Sequence, residues 1–297
     1  MACFEGNIDR RFEKISNQHP CFSGKANMTK GRIHLPVSPA CNIQCKFCKR
    51  NFNKFEQRPG VTSKLLAPQD ATALVDKALT LCPDITVAGI AGPGDTLATT
   101  HALETFKLIN EKHPELINCL STNGLLLERY AQDVWDAGVK TVTVTVNAVN
   151  PEVLQNICSY VLLDGKRYEG LEAAKILIEA QKRGIAKMAK LGAMIKVNIV
   201  LVPGINDFHI AKIAETVKEL GATIINIIPL IPQYEMAGLQ PPTCSELNKV
   251  REDAEKFLPV FRHCQHCRAD ACGIPGQGDL SDLLYEYQGM EQTFSHG

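Results

Sequence analysis

Short apolar runs alternate with amphipathic stretches through the middle of the chain, and the two periods predict the elements. Residues 32–37 (RIHLPV), 86–91 (TVAGIA), 117–121 (INCLS), 141–147 (TVTVTVN), 195–201 (IKVNIVL) and 224–229 (IINIIP) predict strands, the fourth being densest in β-branched side chains. Helical spacing falls between them at 67–81, 98–112, 125–137, 170–191 and 208–220. Pro68 sits in the first helical turn, Pro114 stops the second helix, and Gly138 and Gly221 follow the third and fifth. The fourth is expected to break at Gly184, and Thr122-Asn123-Gly124 predicts a turn.

Six strand–helix alternations in about 200 residues imply parallel strands with right-handed crossovers. Nearly continuous apolar strands are expected where both sheet faces are covered. A doubly wound sheet and a barrel both satisfy this pattern. No GxGxxG follows the first strand, which weakens the dinucleotide-binding form. The chemistry-bearing residues instead follow successive strand ends: Cys41, then Gly92-Pro93-Gly94-Asp95, then Ser121 and Asn123, then Asn147. Function at strand C-termini is the habit of barrels. The expected fold class is therefore α/β, an open (β/α)6 partial TIM barrel over 32–232. A polar N-terminal arm (1–31) precedes it. A Cys-rich C-terminal extension (233–297), with a helix near 245–257, follows.

Composition narrows the chemistry. With 45% hydrophobic residues among 297, the chain can bury a sizeable core. Lys+Arg and Asp+Glu each number 32, and zero net charge argues against a nucleic-acid partner. No apolar run approaches the length of a membrane span, and residues 1–11 carry charge but no apolar leader, so a cytoplasmic location is expected. Twelve cysteines in such a chain point to metal or redox chemistry rather than disulfides.

The densest signal is Cys41-Asn-Ile-Gln-Cys45-Lys-Phe-Cys48, three thiols in eight residues just after a strand. They suit a 4Fe–4S cluster with one iron left open to chelate a small molecule. A zinc site would need a fourth ligand, for which His34 is at hand, and more often shows paired CxxC units. CxxxCxxC in this position resembles the radical S-adenosylmethionine (SAM) superfamily. Further strings resemble the NifB family within it: HPCFS (19–23), GRIHLPVSPACNIQCKFC (31–48), RPGVTS (58–63), AGPGD (91–95), STNGL (121–125), VNAVNPE (146–152), KVNIVLVPGIND (196–207), NIIPLIP (226–232) and CRADA (267–271). Together they span about residues 15–275, and no NifX-like domain is expected after them.

The resemblance implies a SAM-binding 4Fe–4S cluster on Cys41, Cys45 and Cys48, with Phe47 packed by the adenine. It implies that Gly92 and Gly94 allow close backbone approach and that Asp95 meets the SAM ammonium, where a bare reading makes Asp95 a helix cap. Ser121, Asn123, Asn147 and Asn198 are polar positions in apolar strands, suited to the SAM ribose and carboxylate. The family builds the carbide-containing 8Fe–9S–C precursor of the nitrogenase cofactor from two 4Fe–4S substrates, one SAM serving as methyl donor and another as radical source. By the same resemblance Cys264 and Cys267 hold one substrate cluster and Cys21 and Cys119 the other, with His19 as a nitrogen ligand. Unaided, a lone strand cysteine such as Cys119 reads as a small buried hydrophobe. Cys272 is left open between ligand and core; Cys3, Cys82, Cys158 and Cys244 match nothing.

One departure stands out: residues 51–58 (NFNKFEQR) lack a cysteine common in the family. Glu56 is the candidate to take over its ligand or proton-moving role, against a solvated loop glutamate. Arg58 and Arg268 are candidates to offset cluster charge. Implied partners are a cluster donor, an electron donor and a cofactor carrier, with no nucleic acid and no membrane. Two other readings remain: a radical SAM enzyme acting on an organic substrate with an auxiliary cluster, and an iron–sulfur carrier without radical activity.

Overall fold

The computed structural model describes residues 12–285; Cys3 and the rest of 1–11, and residues 286–297, lie outside the described residues. In chain order the strands are β1 (Gly31–His34), β2 (Ile43–Cys45), β3 (Asn51–Phe52), β4 (Val61–Thr62), β5 (Ile85–Ile90), β6 (Ile117–Thr122), β7 (Val139–Thr145), β8 (Cys158–Leu163), β9 (Lys166–Glu169), β10 (Met194–Leu201), β11 (Ile224–Pro229) and β12 (Cys272–Gly273). The main sheet runs β11-β10-β7-β6-β5-β1-β12. Its first six strands pair in parallel and in sequence order, the arrangement of a six-unit partial barrel, and only β12 is antiparallel. The expected fold class is the one observed.

The first strand ends at His34 rather than residue 37, because Pro36 has no N–H for the ladder. The second helix starts at His101 rather than 98: Thr99 and Thr100 are unfavourable inside a helix, and Thr100 stands at its N-cap. No break occurs at Gly184: the helix Gly170–Leu191 is continuous. A Cβ at Gly184 would stand 2.8 Å from Leu127 Cβ, so this glycine lets the helix Leu127–Asp136 approach closely.

The strands are not apolar on both faces. Ile33, Val142, Val144, Ile195, Val197, Ile225 and Ile227 pack outward under the helices in the main core. Alternation then turns Arg32 and His34, Cys119 and Ser121, Thr141, Thr143 and Thr145, and Lys196 and Asn198 to the concave face. A polar lumen runs along the inside of the sheet.

Two additions position the site. Asp164 and Gly165, at φ 52° and 75°, turn β8 into β9, and this hairpin joins β2 in a separate antiparallel sheet. The extension spans the open side of the barrel: Phe261 N–H donates to Ile225 O (2.8 Å) at the β11 edge, and β12 pairs with β1 at the other. The capped helix within it covers Cys244–Glu255, one residue earlier at its start than expected. From the other terminus, Phe22 packs with Met194, Ile224 and Phe261 against the strand beginnings. Among the described residues, no helix is long and apolar enough to cross a membrane.

Candidate functional site

At the C-terminal ends of the strands lies a cavity of ≈190 Å³. Cys41, Cys45, Phe47, Cys48, Gly94, Asp95, Ser121, Asn123 and Asn147 line it, nine of the residues singled out from the sequence. The cysteine loop is held by Gln44, whose Nε2 donates to the carbonyls of Cys45 (2.8 Å) and Cys48 (2.9 Å). The thiols are therefore presented by backbone bonds that do not involve them. Burial pushes Cys41 up to about 11, and raises Cys45 and Cys48 as well. Thiolates form here only against strong positive charge, which a metal core supplies on binding.

The glycine loop earns its residue types from contact with the segment before Cys41. A Cβ on Gly94 would sit 2.0 Å from Ala40 O, while Gly94 N–H donates to Ser38 O and Asp95 N–H to Ala40 O, both 2.8 Å. Gly92 (φ 125°) stands just outside the lining. Asp95 caps no helix, since the next N-cap is Thr100. Its buried carboxylate accepts from Asn123 N–H (2.6 Å), Leu97 N–H (3.0 Å) and the Thr122 hydroxyl (3.0 and 3.1 Å), tying the end of β6 to the loop. Burial raises its pKa and these donors oppose the rise. Asn123 Nδ2 donates to Asn42 Oδ1 (2.7 Å) and lies 3.9 Å from Cys41 Sγ. Asn147 Oδ1 accepts from Val200 N–H (2.9 Å), and Asn206 links Asn147 O (3.0 Å) to Val200 O (2.9 Å).

Gln181 and Cys158 are among the wall residues that sequence reading missed. Gln181 is 3% exposed; its Nε2 donates to Asn123 O (2.7 Å) and Thr145 O (2.9 Å), while Oε1 is buried without a partner. A polar residue within the stripe Leu177–Ile178–Gln181–Ile185–Met188 was the available signal. A buried acceptor left open in a cavity suits a ligand donor such as a ribose hydroxyl or an ammonium. Gln181→Leu is expected to weaken SAM binding about tenfold, with iron content unchanged; anaerobic equilibrium binding reads this, and unaltered affinity would remove Gln181 from the ligand. The second is Cys158, which faces Cys45 across β2 and β8. The neighbouring Lys46 N–H to Ile157 O bond (2.8 Å) marks theirs as the close, non-hydrogen-bonded pair. Cys158 is thus a cavity-wall thiol, donating to Tyr160 O at 3.3 Å.

Asn198 lies elsewhere, in an adjoining cavity of ≈240 Å³ that shares Phe47, Cys48, Pro93 and Thr145 with the first and is also lined by Arg58. Its Oδ1 accepts from Asn226 (3.1 Å). Glu56 lines neither: Asn51 (3.0 Å), Asn53 (3.2 Å) and Arg58 engage its carboxylate. Those partners outweigh burial and hold it below the ordinary glutamate range, so it is ionised at neutral pH and poorly suited to deliver a proton. Arg268 does not face a free charge: it forms a buried bidentate pair with Asp270 (2.8 and 2.9 Å).

Deeper in the lumen a second group converges. Cys119 lies two residues before Ser121 on the same face, about 7 Å along β6. Burial pushes Cys21 up to about 12, with the charges of Cys267, Cys119 and Cys264 adding to the rise and Lys196 opposing it. The four cysteines, divided between two clusters in the sequence reading, share one neighbourhood. Arg32 donates to Cys267 Sγ at 3.2 Å. His19, 1% exposed, accepts at Nδ1 from Cys21 N–H (3.1 Å), leaving Nε2 buried without a partner. That bond puts the ring proton of the neutral imidazole on Nε2, so ligation through Nε2 requires the proton to move to Nδ1 at the expense of the Cys21 bond. Burial brings His34 down to about 4, with Arg32 adding to the shift, and its Nδ1 contacts Arg268 O (2.9 Å). Cys272 is fully buried in the main core, Cys244 is exposed on its helix, and Cys82 packs against the core.

The radical SAM superfamily signature matches residues 35–217. A protein of Methanocaldococcus infernus described as FeMo cofactor biosynthesis protein NifB is 48% identical over 95% of this chain and 94% of its own length. The protein of the same description from Methanocaldococcus jannaschii is 52% identical over 89% of this chain and 88% of its own. The chain belongs to the NifB family of radical SAM enzymes. Among solved structures, a radical SAM methyltransferase from Sphaerobacter thermophilus shares the fold, with a TM-score of 0.56 at 17% identity over 78% of this chain and 65% of that one. Radical SAM membership implies a SAM-binding 4Fe–4S cluster. The cavity fits it: three thiols on one loop, with Asn123, Asn147 and an unpartnered Gln181 oxygen in the same lining. In a NifB-family chain the second, deeper set of cysteines has no place in SAM binding itself.

Proposed function

We propose that this enzyme makes the carbide-containing 8Fe–9S–C precursor of the nitrogenase cofactor from two 4Fe–4S substrates, with one SAM giving a methyl group and another a radical. The observation that carries the reading is a second group of cysteines, in which Cys21 feels Cys267, Cys119 and Cys264 and Arg32 donates to Cys267 Sγ, outside the lining of the SAM cavity, which a small organic substrate would not need. Cys41, Cys45 and Cys48 would hold the 4Fe–4S cluster, which when bound would supply the electron for reductive cleavage of the SAM sulfonium. Gln44 fixes the loop that holds it, and Asp95 fixes the β6 end that frames SAM. Ser121, Asn123 and Gln181 line the ligand cavity, Phe47 stands at the border with the adjoining cavity, and Arg58 lines the latter. Cys21, Cys119, Cys264 and Cys267 are the proposed holders of substrate clusters. Few protein ligands per substrate are consistent with product that must leave.

The reading divides the chain into an N-terminal arm (1–31), a radical SAM partial barrel (32–232) that also contributes Cys119, and a C-terminal extension (233–297) with the cluster-binding CxxC. It places the protein in the cytoplasm with a cluster donor, an electron donor and a carrier for product as partners. Anaerobic reconstitution and turnover test it: SAM is expected to yield both S-adenosylhomocysteine and 5′-deoxyadenosine, and the product to activate cofactor-deficient nitrogenase. Deoxyadenosine alone would sink the two-SAM mechanism in favour of an organic substrate. No turnover by fully loaded protein would leave a carrier.

A further inference from the structure

Two cations are buried in the lumen without a salt bridge. Lys196 is 6% exposed and Arg32 is 5% exposed. Among the described residues neither forms an ion pair with Asp or Glu. The Lys196 ammonium makes one long contact, 3.4 Å to Cys21 O, and otherwise sits 5.5 Å from the Phe22 ring and 5.7 Å from that of Phe261. Arg32 reaches Gly273 O (2.5 Å) and Cys267 Sγ (3.2 Å), and its Nε is buried without a partner. Asp279, the carboxylate whose charge Arg32 feels, makes no salt bridge with it and accepts instead from the N–H groups of Cys272 (3.1 Å) and Ser281 (2.9 Å).

A buried cation is costly unless opposite charge comes with it. Ring faces compensate weakly and carbonyls only in part. Lys196 faces Cys21 and Cys119, and Arg32 faces Cys267 and Cys21, cysteines that become anionic ligands once they bind an iron–sulfur core. We propose that Lys196, with Arg32 beside it, is the counter-ion of an anionic iron–sulfur substrate in the lumen, holding it by charge rather than by a covalent ligand. This rests on the reading that these cysteines receive substrate clusters. A charge contact restrains a cluster without a bond that must later break, which is useful when the cluster has to be rebuilt and released.

Lys196→Met tests this, because methionine matches the length of lysine and packs well on aromatic rings. Cluster-free Lys196→Met is expected to melt above the wild type, since a buried charge has been removed. After equal anaerobic loading it is expected to retain the iron that depends on Cys264 and Cys267 roughly tenfold less tightly. The midpoint potential of what remains moves to more negative values, because a lost cation disfavours the reduced form. Lys196→Arg restores both iron retention and potential. Unchanged retention and potential in Lys196→Met would overturn the inference, and so would a cluster-free variant that melts below the wild type, which would make Lys196 merely structural. Wild-type iron equal to that of a Cys264→Ser/Cys267→Ser variant would overturn the substrate-site reading itself, and the inference with it.

Discussion

Cys48→Ala is expected to abolish 5′-deoxyadenosine formation, by about a thousandfold or more, and to remove about four irons per chain. The expectation is sharp because the loop does not depend on the thiol. Cys48 N–H donates to Cys45 O (2.9 Å) and Cys48 O accepts from Gln44, both backbone contacts that alanine keeps. Only Sγ leaves, from a position that borders both cavities. Cys48 is also the better choice than Cys45, which has the Cys158 thiol opposite it as a nearby substitute. The measurements are iron content, the yield of deoxyadenosine from SAM under reducing conditions, and the melting temperature of the cluster-free protein. An unchanged melting temperature with lost iron assigns the effect to ligation. Retained iron and turnover would remove Cys48 from the SAM-binding cluster.

What was legible in the sequence was local. The run TVTVTVN can be little but a strand, and CxxxCxxC carries its chemistry within eight residues. The strand-end positions of Gly94, Asp95, Ser121, Asn123 and Asn147 followed from the alternation of elements alone, and the cavity collects them. What was not legible depends on pairing across the chain. Cys158 looked incidental because its place opposite Cys45 depends on the pairing of β8 with β2, more than a hundred residues away in the chain. Lys196 and Arg32 hid inside runs read as apolar, although strand alternation gives their face a separate identity. Asn198 shares that face but lies beyond Thr145 from the SAM cavity, and no strand pattern tells one cavity from its neighbour. Gly184 was read as a break because its missing side chain is explained only by Leu127, more than fifty residues away.

Arg268→Ala is expected to destabilise the protein by about 3–5 kcal/mol, the usual cost of stranding one partner of a buried pair. Arg268 and Asp270 have side chains only 2% and 0% exposed. The guanidinium also donates to Asn53 O (2.7 Å), Glu56 O (2.9 Å) and Ser63 Oγ (3.3 Å), while Asp270 Oδ2 accepts from Ser63 N–H (2.6 Å). One ion pair in the CRADA string thus anchors the whole 53–63 loop, on which Arg58 is carried to the second cavity. Arg268→Ala leaves a buried carboxylate facing three unpaired acceptors. Chemical denaturation reads the loss, which at this chain length corresponds to a fall of roughly 10 °C in melting temperature. The double variant Arg268→Met/Asp270→Leu removes both charges and is expected to recover part of the stability, giving a coupling energy well above the ~1 kcal/mol of an exposed pair. It does not rebuild the carbonyl contacts, so the loop stays loose and deoxyadenosine formation stays low even where stability returns. An Arg268→Ala protein as stable as the wild type would show that the loop and tail hold together without the pair. Full activity in the double variant would separate the loop from catalysis and leave CRADA a purely structural string.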